Sequence, residues 1–387
     1  MNISIKSIFI GLLCLLTLLL VDTHAKVNGS GPITNNGKKW RIGYLEGGPY
    51  ANYQMILKNL VKSMMDSGWI QQALIPECRD ESETKTLWNF LSTKIQSDYL
   101  EFPSDAYWDS SWDDGKRKIS RNNILKRLNN KKNIDLMLAF GTWAGLDLAN
   151  NLHKTDTMVI SASNAILSGI IKSVGDSGYD HVHAWIDPDK TKRQLRLLHK
   201  IIGFKRLGLA YENNKIGKSY AGVEDILKLS RELDFQVIEC YLPTETGSAN
   251  ESAELIKCHE QLAPKIDSMY ITDYAGLTKK AIKKILSPIF KYKVPMFSQT
   301  RYDLVKNGIL MGTGRFDFKA DAEFYLNIFA KILNGAKPRD LPQKFESPLY
   351  LVVNLESAKK IGYRIPLDIL AGAFEIYEII ENPGNEE

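Results

Sequence analysis

The sequence predicts an α/β protein of two lobes, each a parallel sheet covered by helices. Three observations carry this. Short apolar runs of strand length alternate with stretches whose apolar residues recur at helical spacing, the rhythm of parallel sheets with crossover helices. Such runs are too numerous for one compact domain, which splits the chain near residue 186. Finally, Ile134-Asp-Leu-Met-Leu-Ala-Phe-Gly-Thr-Trp-Ala-Gly145 shows the unit in full. An apolar strand stops at Gly141, Thr142 follows, and small residues open a helix. Such a turn aims free N–H groups into the crevice at the carboxyl ends of the strands, where open α/β sheets bind ligands.

The elements follow in order. Residues 26–38 are polar and rich in Gly and Asn, and read as a disordered lead-in. Trp40–Leu45 is the first strand, ending at the turn Glu46-Gly-Gly-Pro-Tyr50. Ile56, Leu57, Leu60, Val61, Met64 and Met65 form the stripe of a sheet-covering helix. A helical region at 82–94 and a strand at 99–102 precede a loop, 103–115, dense in aromatics and carboxylates. A basic amphipathic helix leads to the Gly141-Thr142 unit. The strand Thr157–Ser163 ends at Asn164, and 176–185 makes the first crossing between lobes. The second lobe repeats the pattern: strands at 206–211, 236–241, 268–273, 294–297 and 309–312, with helices between. The helix Asp321–Asn334 closes the series.

Composition narrows the class. Of 387 residues 44% are apolar, enough for two cores, and the net charge of +5 is spread along the chain apart from a denser run at 116–132. A mild excess of this kind does not argue for nucleic acid. Lys6, the apolar run Ile8–Val21 and Ala25 have the layout of an export signal cleaved near Ala25, and the run is short for a membrane span. Cys14 follows Leu12-Leu13 rather than a small residue, which argues against lipid attachment. The mature chain is therefore expected outside the cytoplasm, in the periplasm. Of the three remaining cysteines, Cys240 and Cys258 lie on a strand and the next helix and could meet, leaving Cys78; three separate thiols are the alternative.

Enzyme signatures mostly fail. Gly217-Lys-Ser219 lacks the glycine that a phosphate loop needs at Glu212 and sits in a polar stretch. Gly312-Thr-Gly314 lacks a third glycine, and there is no nucleophile elbow. His181 and His183 alternate as on a strand, where a hydrogen-bonded structural pair is the plainer reading than a metal site. No catalytic residue, metal or cofactor is expected. What recurs is a strand end bearing hydroxyls, amides or rings: Glu46; Tyr107 and Trp108; Thr142 and Trp143; Ser163 and Asn164; Tyr211; Asp273 and Tyr274; Gln299. These residue types suit recognition of a small molecule better than proton transfer. Helix capping uses the same positions.

Several segments together carry a family resemblance: Asp135–Thr142, Ile160–Asn164, Lys205–Tyr211, Val294–Phe297, Val305–Gly308, Ile332–Gly335 and, most specifically, Leu351-Val-Val-Asn-Leu-Glu-Ser-Ala-Lys-Lys-Ile-Gly362 with Ile365-Pro366. On these the chain resembles the solute-binding proteins of ABC importers with the type I periplasmic fold, closest to the tryptophan/tyrosine-type branch. The resemblance implies two Rossmann-like lobes joined by three crossings, near 181–187, 312–318 and 338–346. Residues 40–185 and 315–340 would then form the N-terminal lobe, with 186–314 and 341–387 the C-terminal lobe. It also implies a monomer that closes on a ligand and docks on a membrane permease. A ligand carboxylate would lie on Thr142 and the Ser163-Asn164 turn, and an ammonium against Asp273. A ring would stack on Trp143, Tyr107 or Tyr274. The bulky 107–112 loop and Gly141-Thr-Trp143 depart from the family's usual small residues. Two other readings stand beside transport. One is a periplasmic sensory subunit feeding a membrane kinase, cyclase or chemoreceptor. The other is an exported hydrolase using Asp109, Asp113 and Asp114.

Overall fold

The computed structural model describes residues 31–77, 83–244, 250–314 and 318–382. The segment expected to be an export signal and Cys78 lie outside them. The chain opens with β1 (Trp40–Glu46), α1 (Ala51–Asp66), α2 (Lys85–Thr93), β2 (Leu100–Glu101), β3 (Tyr107–Asp109), α3 (Asp114–Lys126), β4 (Leu136–Phe140), α4 (Gly141–Leu148), β5 (Asp156–Ile160) and β6 (Val182–Ala184). The strands form one parallel sheet in the order β2-β1-β4-β5-β6; β3 joins β1 on the same edge as β2, further along. All five residues of β4 are buried, as expected of a parallel strand covered on both faces. The stripe on α1 packs into this core with Trp88, Phe140 and Tyr44.

The second lobe runs α5 (Lys190–Ile202), β7 (Arg206–Glu212), α6 (Lys215–Ala221), α7 (Val223–Leu233), β8 (Gln236–Leu242), α8 (Glu251–Leu262), β9 (Ser268–Ile271), α9 (Ile282–Lys291), β10 (Met296–Ser298) and β11 (Met311–Gly314). Then α10 (Lys319–Leu333) packs in the first core, where Phe329 meets Trp69 at 5.4 Å. β12 (Tyr350–Asn354), α11 (Leu355–Ile361), α12 (Leu367–Ala371) and β13 (Glu375–Tyr377) complete the chain. This sheet has the order β13-β12-β11-β10-β9-β7-β8 and is parallel except between β11 and β12. Two separate hydrophobic cores thus define two lobes.

Where the chain returns between lobes, it is paired with itself. Ile186 donates to Gln343 O and accepts from Phe345 N, at 2.9 and 3.1 Å. Beside this pair, Arg193 holds the buried Asp187 carboxylate with two bonds of 2.8 Å and reaches Ser347 O. Ser347 Oγ donates to Asp321 at the start of α10.

Four local features differ from the sequence reading or resolve it. Residues 31–39 are not a disordered lead-in: Asn35 and Lys38 exchange backbone bonds, and the Asn35 amide donates to Asp135. Its polar composition is used in side-chain bonds to the first lobe. Tyr107–Asp109, read as loop, is a strand, because β1 supplies a free edge there. Gly217-Lys-Ser219 lies in α6, capped by Asn214, with Gly217 against Glu212 so closely that a Cβ would strike its carbonyl. Cys240 and Cys258 are bridged, tying the edge strand β8 to α8.

Candidate functional site

The loop after β1 is the first wall. Glu46 ends that strand fully buried, and three hydroxyls close on its carboxylate: Tyr44 at 2.6 Å, Thr84 at 2.9 Å and Tyr107 at 3.0 Å. Burial pushes this carboxyl up to about 7 against the pull of those donors. Gly47 and Gly48 then pass beneath two indoles. A Cβ on Gly48 would lie 2.6 Å from the Trp112 ring, and one on Gly47 2.9 Å from Trp143 Cβ. Trp112 is locked by its backbone N–H to Gly47 O and its ring N–H to Pro49 O. It meets Trp143 edge to face at 5.5 Å. The Arg117 guanidinium lies 4.6 Å from the Trp143 ring centroid while paired with Asp147 at 2.9 Å, which fixes the ring from behind.

Next to this corner is the Gly141 turn. Gly141 has φ +86°, and the Tyr53 hydroxyl sits where a Cβ would be. Thr142 is buried, and its Oγ accepts the Ser163 N–H at 3.4 Å. Ser163 itself is exposed, following Ser161 in the left-handed region at φ +59°.

The second lobe brings Asp273, just past β9, to the same place. Tyr50, at the end of the first-lobe loop, donates its hydroxyl to Asp273 Oδ2 at 3.0 Å across the interface. Burial raises the Asp273 carboxyl, opposed chiefly by nearby Arg301. Arg301 is held by Asp303 through two bonds, of 2.9 and 2.8 Å, and donates to Leu277 O. Gln299 is buried behind, accepting the Asp273 N–H and donating to Tyr220 O. Ser168–Ser219 at 3.2 Å and Tyr302 Oη–Met55 Sδ at 3.9 Å add contacts between lobes.

The structure therefore groups Glu46, Tyr107, Thr142, Trp143 and Ser163 on one wall, with Asp273 and Gln299 on the other. The remaining candidates do local work. Asn164 Oδ1 caps the following turn through Ile166 N and Leu167 N. Tyr211 donates to Glu239 at 2.6 Å, and Tyr274 donates to Pro243 O. Trp108 lies under the Arg127 guanidinium at 5.5 Å. Tyr50, Trp112 and Arg301 were not singled out. Tyr50 was legible only as the end of a Gly/Pro turn, Trp112 as one ring of a loop, and Arg301 as the last residue of a polar strand end.

The carboxylates of the 109–114 loop are local too. Asp109 closes a turn onto Ser111 N, Asp113 caps α3 through Lys116 N, and Asp114 lies in that helix's first turn. His183 Nε2 faces Pro342 O at 2.9 Å, and His181 packs edge to face on His153. Among the described residues no group of three or more His, Cys, Asp or Glu is arranged to hold a metal ion.

Two α/β lobes with polar and aromatic strand ends facing each other across one interface define a two-lobed ligand-binding protein. The family model described as ABC transporter substrate binding protein matches residues 110–377, and the chain belongs to that family. Its members bind small molecules and typically work with ABC transporter permeases. No curated protein matches the chain. Among solved structures it is similar to an ABC domain in complex with L-Trp from Streptococcus pneumonia, with TM-score 0.63, 18% identity, and coverage of 88% of this chain and 100% of that one. A conserved domain protein from Vibrio cholerae gives the same four values. A ligand-free, open substrate-binding protein with adhesive properties from Clostridium difficile gives 0.61, 17%, 87% and 99%. At these identities the likeness establishes the type I periplasmic binding fold.

Proposed function

We propose that this chain is an exported solute-binding protein that captures a small molecule with a cationic group and an aromatic or apolar part, such as an amino acid, between its lobes. The closed form delivers it to the permease of an ABC importer. The observation that carries this reading is the meeting of Tyr50 and Asp273 across the interface, beside the Trp112–Trp143 corner. A half-buried carboxylate suits an ammonium group, and a fixed indole suits a ring or alkyl chain. Thr142 and the exposed Ser163 offer a hydroxyl pair to a carboxylate end. Their separation from Asp273 by the interface means that a ligand using both would hold the lobes together. L-Trp in the Streptococcus protein is a ligand of this chemistry. The N-terminal layout of charge, apolar run and Ala25 supports export to the periplasm.

A thermal-shift screen of residues 26–387 against amino acids, aromatic amines, nucleosides, sugars and short peptides tests it. A ligand of the folded state raises the melting temperature with concentration. The expected response is confined to amine-bearing compounds. A response to sugars or nucleosides alone would overturn the ligand class, and mass spectrometry of co-purified compounds would then name its replacement.

A further inference from the structure

The second lobe carries a lysine face that the binding site does not use. Between Asp273 and Asp303 the sequence has no acidic residue, yet it holds Lys279, Lys280, Lys283, Lys284, Lys291 and Lys293 on and around α9. The helix buries Ile282, Ile285, Leu286 and Ile289 in the second core, which turns its lysines outward. Lys280, Lys283, Lys284, Lys291 and Lys293 are exposed, and none of these five forms an ion pair with an acidic side chain among the described residues. Tyr292 is exposed between the last two; the neighbouring Lys360 of α11, 5.8 Å from the Phe290 ring, is paired with Glu356 at 2.9 Å and adds no free charge. By contrast, the basic run on α3 and the turn after it spends Arg117 on Asp147 and Arg127 on Asp105.

We infer that this α9 face docks on an anionic phospholipid surface. Protein–protein interfaces are depleted in lysine and favour arginine. This face has lysines, no arginine and no acid along a whole helix. Mobile point charges of one sign match a diffuse layer of phosphate headgroups, where each basic residue adds attraction that salt screens. An exposed tyrosine flanked by lysines suits the headgroup level. Adsorption there would hold the protein near the membrane by charge, whatever the ligand.

Co-sedimentation of residues 26–387 with phosphatidylglycerol/phosphatidylcholine vesicles tests this independently of ligand binding. Binding is expected at low salt, with release at high salt and no binding to pure phosphatidylcholine. The variant Lys280→Glu/Lys283→Glu/Lys284→Glu/Lys291→Glu should bind anionic vesicles at least about tenfold more weakly while melting like the parent. The control Lys118→Glu/Lys126→Glu/Lys131→Glu on the other lobe should bind like the parent. Absence of anionic-vesicle binding, equal binding to neutral vesicles, or full binding by the α9 variant would overturn the inference. So would adsorption only to protein-bearing native membranes that protease treatment abolishes, which would assign the face to a protein partner. Failure of the ligand screen would leave these outcomes unchanged.

Discussion

The Tyr50 hydroxyl reaches across the lobe interface to the Asp273 carboxylate at 3.0 Å, and Asn52 donates to the same hydroxyl at 3.2 Å. The phenol is thus oriented by its own lobe and spent on the other. If Asp273 receives a ligand ammonium, Asp273→Ala should weaken binding by about 2–3 kcal/mol, on the order of a hundredfold, because a charge-assisted bond at a half-buried carboxylate is lost. Calorimetric titration with the ligand found by the screen measures this, and undiminished affinity removes Asp273 from the site. Tyr50→Phe should cost less, since only a neutral donor goes.

The Gly47-Gly48 passage predicts a steric phenotype. Gly48→Ala puts a methyl group into the Trp112 ring, which is already pinned by two hydrogen bonds. The ring must move or the loop must open, at about 1–3 kcal/mol. Chemical denaturation should show the loss in Gly48→Ala. Trp143→Ala should instead reduce ligand affinity and the fluorescence change on binding. If both readouts match the parent, the indole corner takes no part in recognition.

The disulfide predicts a thiol count. With Cys240 and Cys258 bridged, residues 26–387, denatured and unreduced, should titrate one thiol, Cys78. Reduction frees a loop with a sequence separation of 18 residues. The chain-entropy estimate for a loop of that size is roughly 3 kcal/mol, so reductant should lower the denaturation midpoint. Three titrated thiols would exclude the bridge.

Acid should destabilise the fold through buried histidines. Burial lowers His183, at the Pro342 carbonyl, and His259, at the Ile285 carbonyl, to about 4 each. A histidine depressed in the folded state keeps its contribution above its unfolded pKa near 6.5, and loses it as pH falls from there towards 4. His183→Gln should flatten that limb of a melting-temperature profile; an unaltered acid slope would discount His183.

Glu46 works in the opposite direction. Its carboxyl is raised to about 7 from an ordinary 4.5. Its contribution is therefore complete below 4.5 and declines as pH rises through 7. Glu46→Gln cannot ionise, so the profile of this variant should lose the decline between about pH 4.5 and 7. Persistence of the decline would assign it to other groups.

Much of this architecture was legible because the signals were local and periodic. The α1 stripe, the β4 run and the turn at Gly141-Thr142 each follow from residues near one another in the chain. β3 was hidden because three residues of a polar, aromatic loop become a strand only when β1 offers an edge. α6 was hidden because its start depends on the Asn214 cap and a glycine fitted against Glu212, within seven residues too polar to show a stripe. In the candidate site, strand ends point to Glu46, Thr142 and Asp273, which the structure places beside one interface. They could not separate recognition from capping, and Asn164 is spent on its own turn. Tyr50 and Arg301 acquire meaning only from partners in space, 223 residues away for Tyr50.

The pairing of Ile186 with the returning chain at Gln343 and Phe345 has a mechanical consequence. Two of the connections between lobes meet in one parallel bridge of two backbone hydrogen bonds, braced by Arg193 against Asp187 and Ser347. Sliding one lobe past the other would shear that bridge and break its bonds. Bending about it would leave them intact, so the closure proposed above is expected to be a swing about this crossing rather than a slide of one lobe along the other.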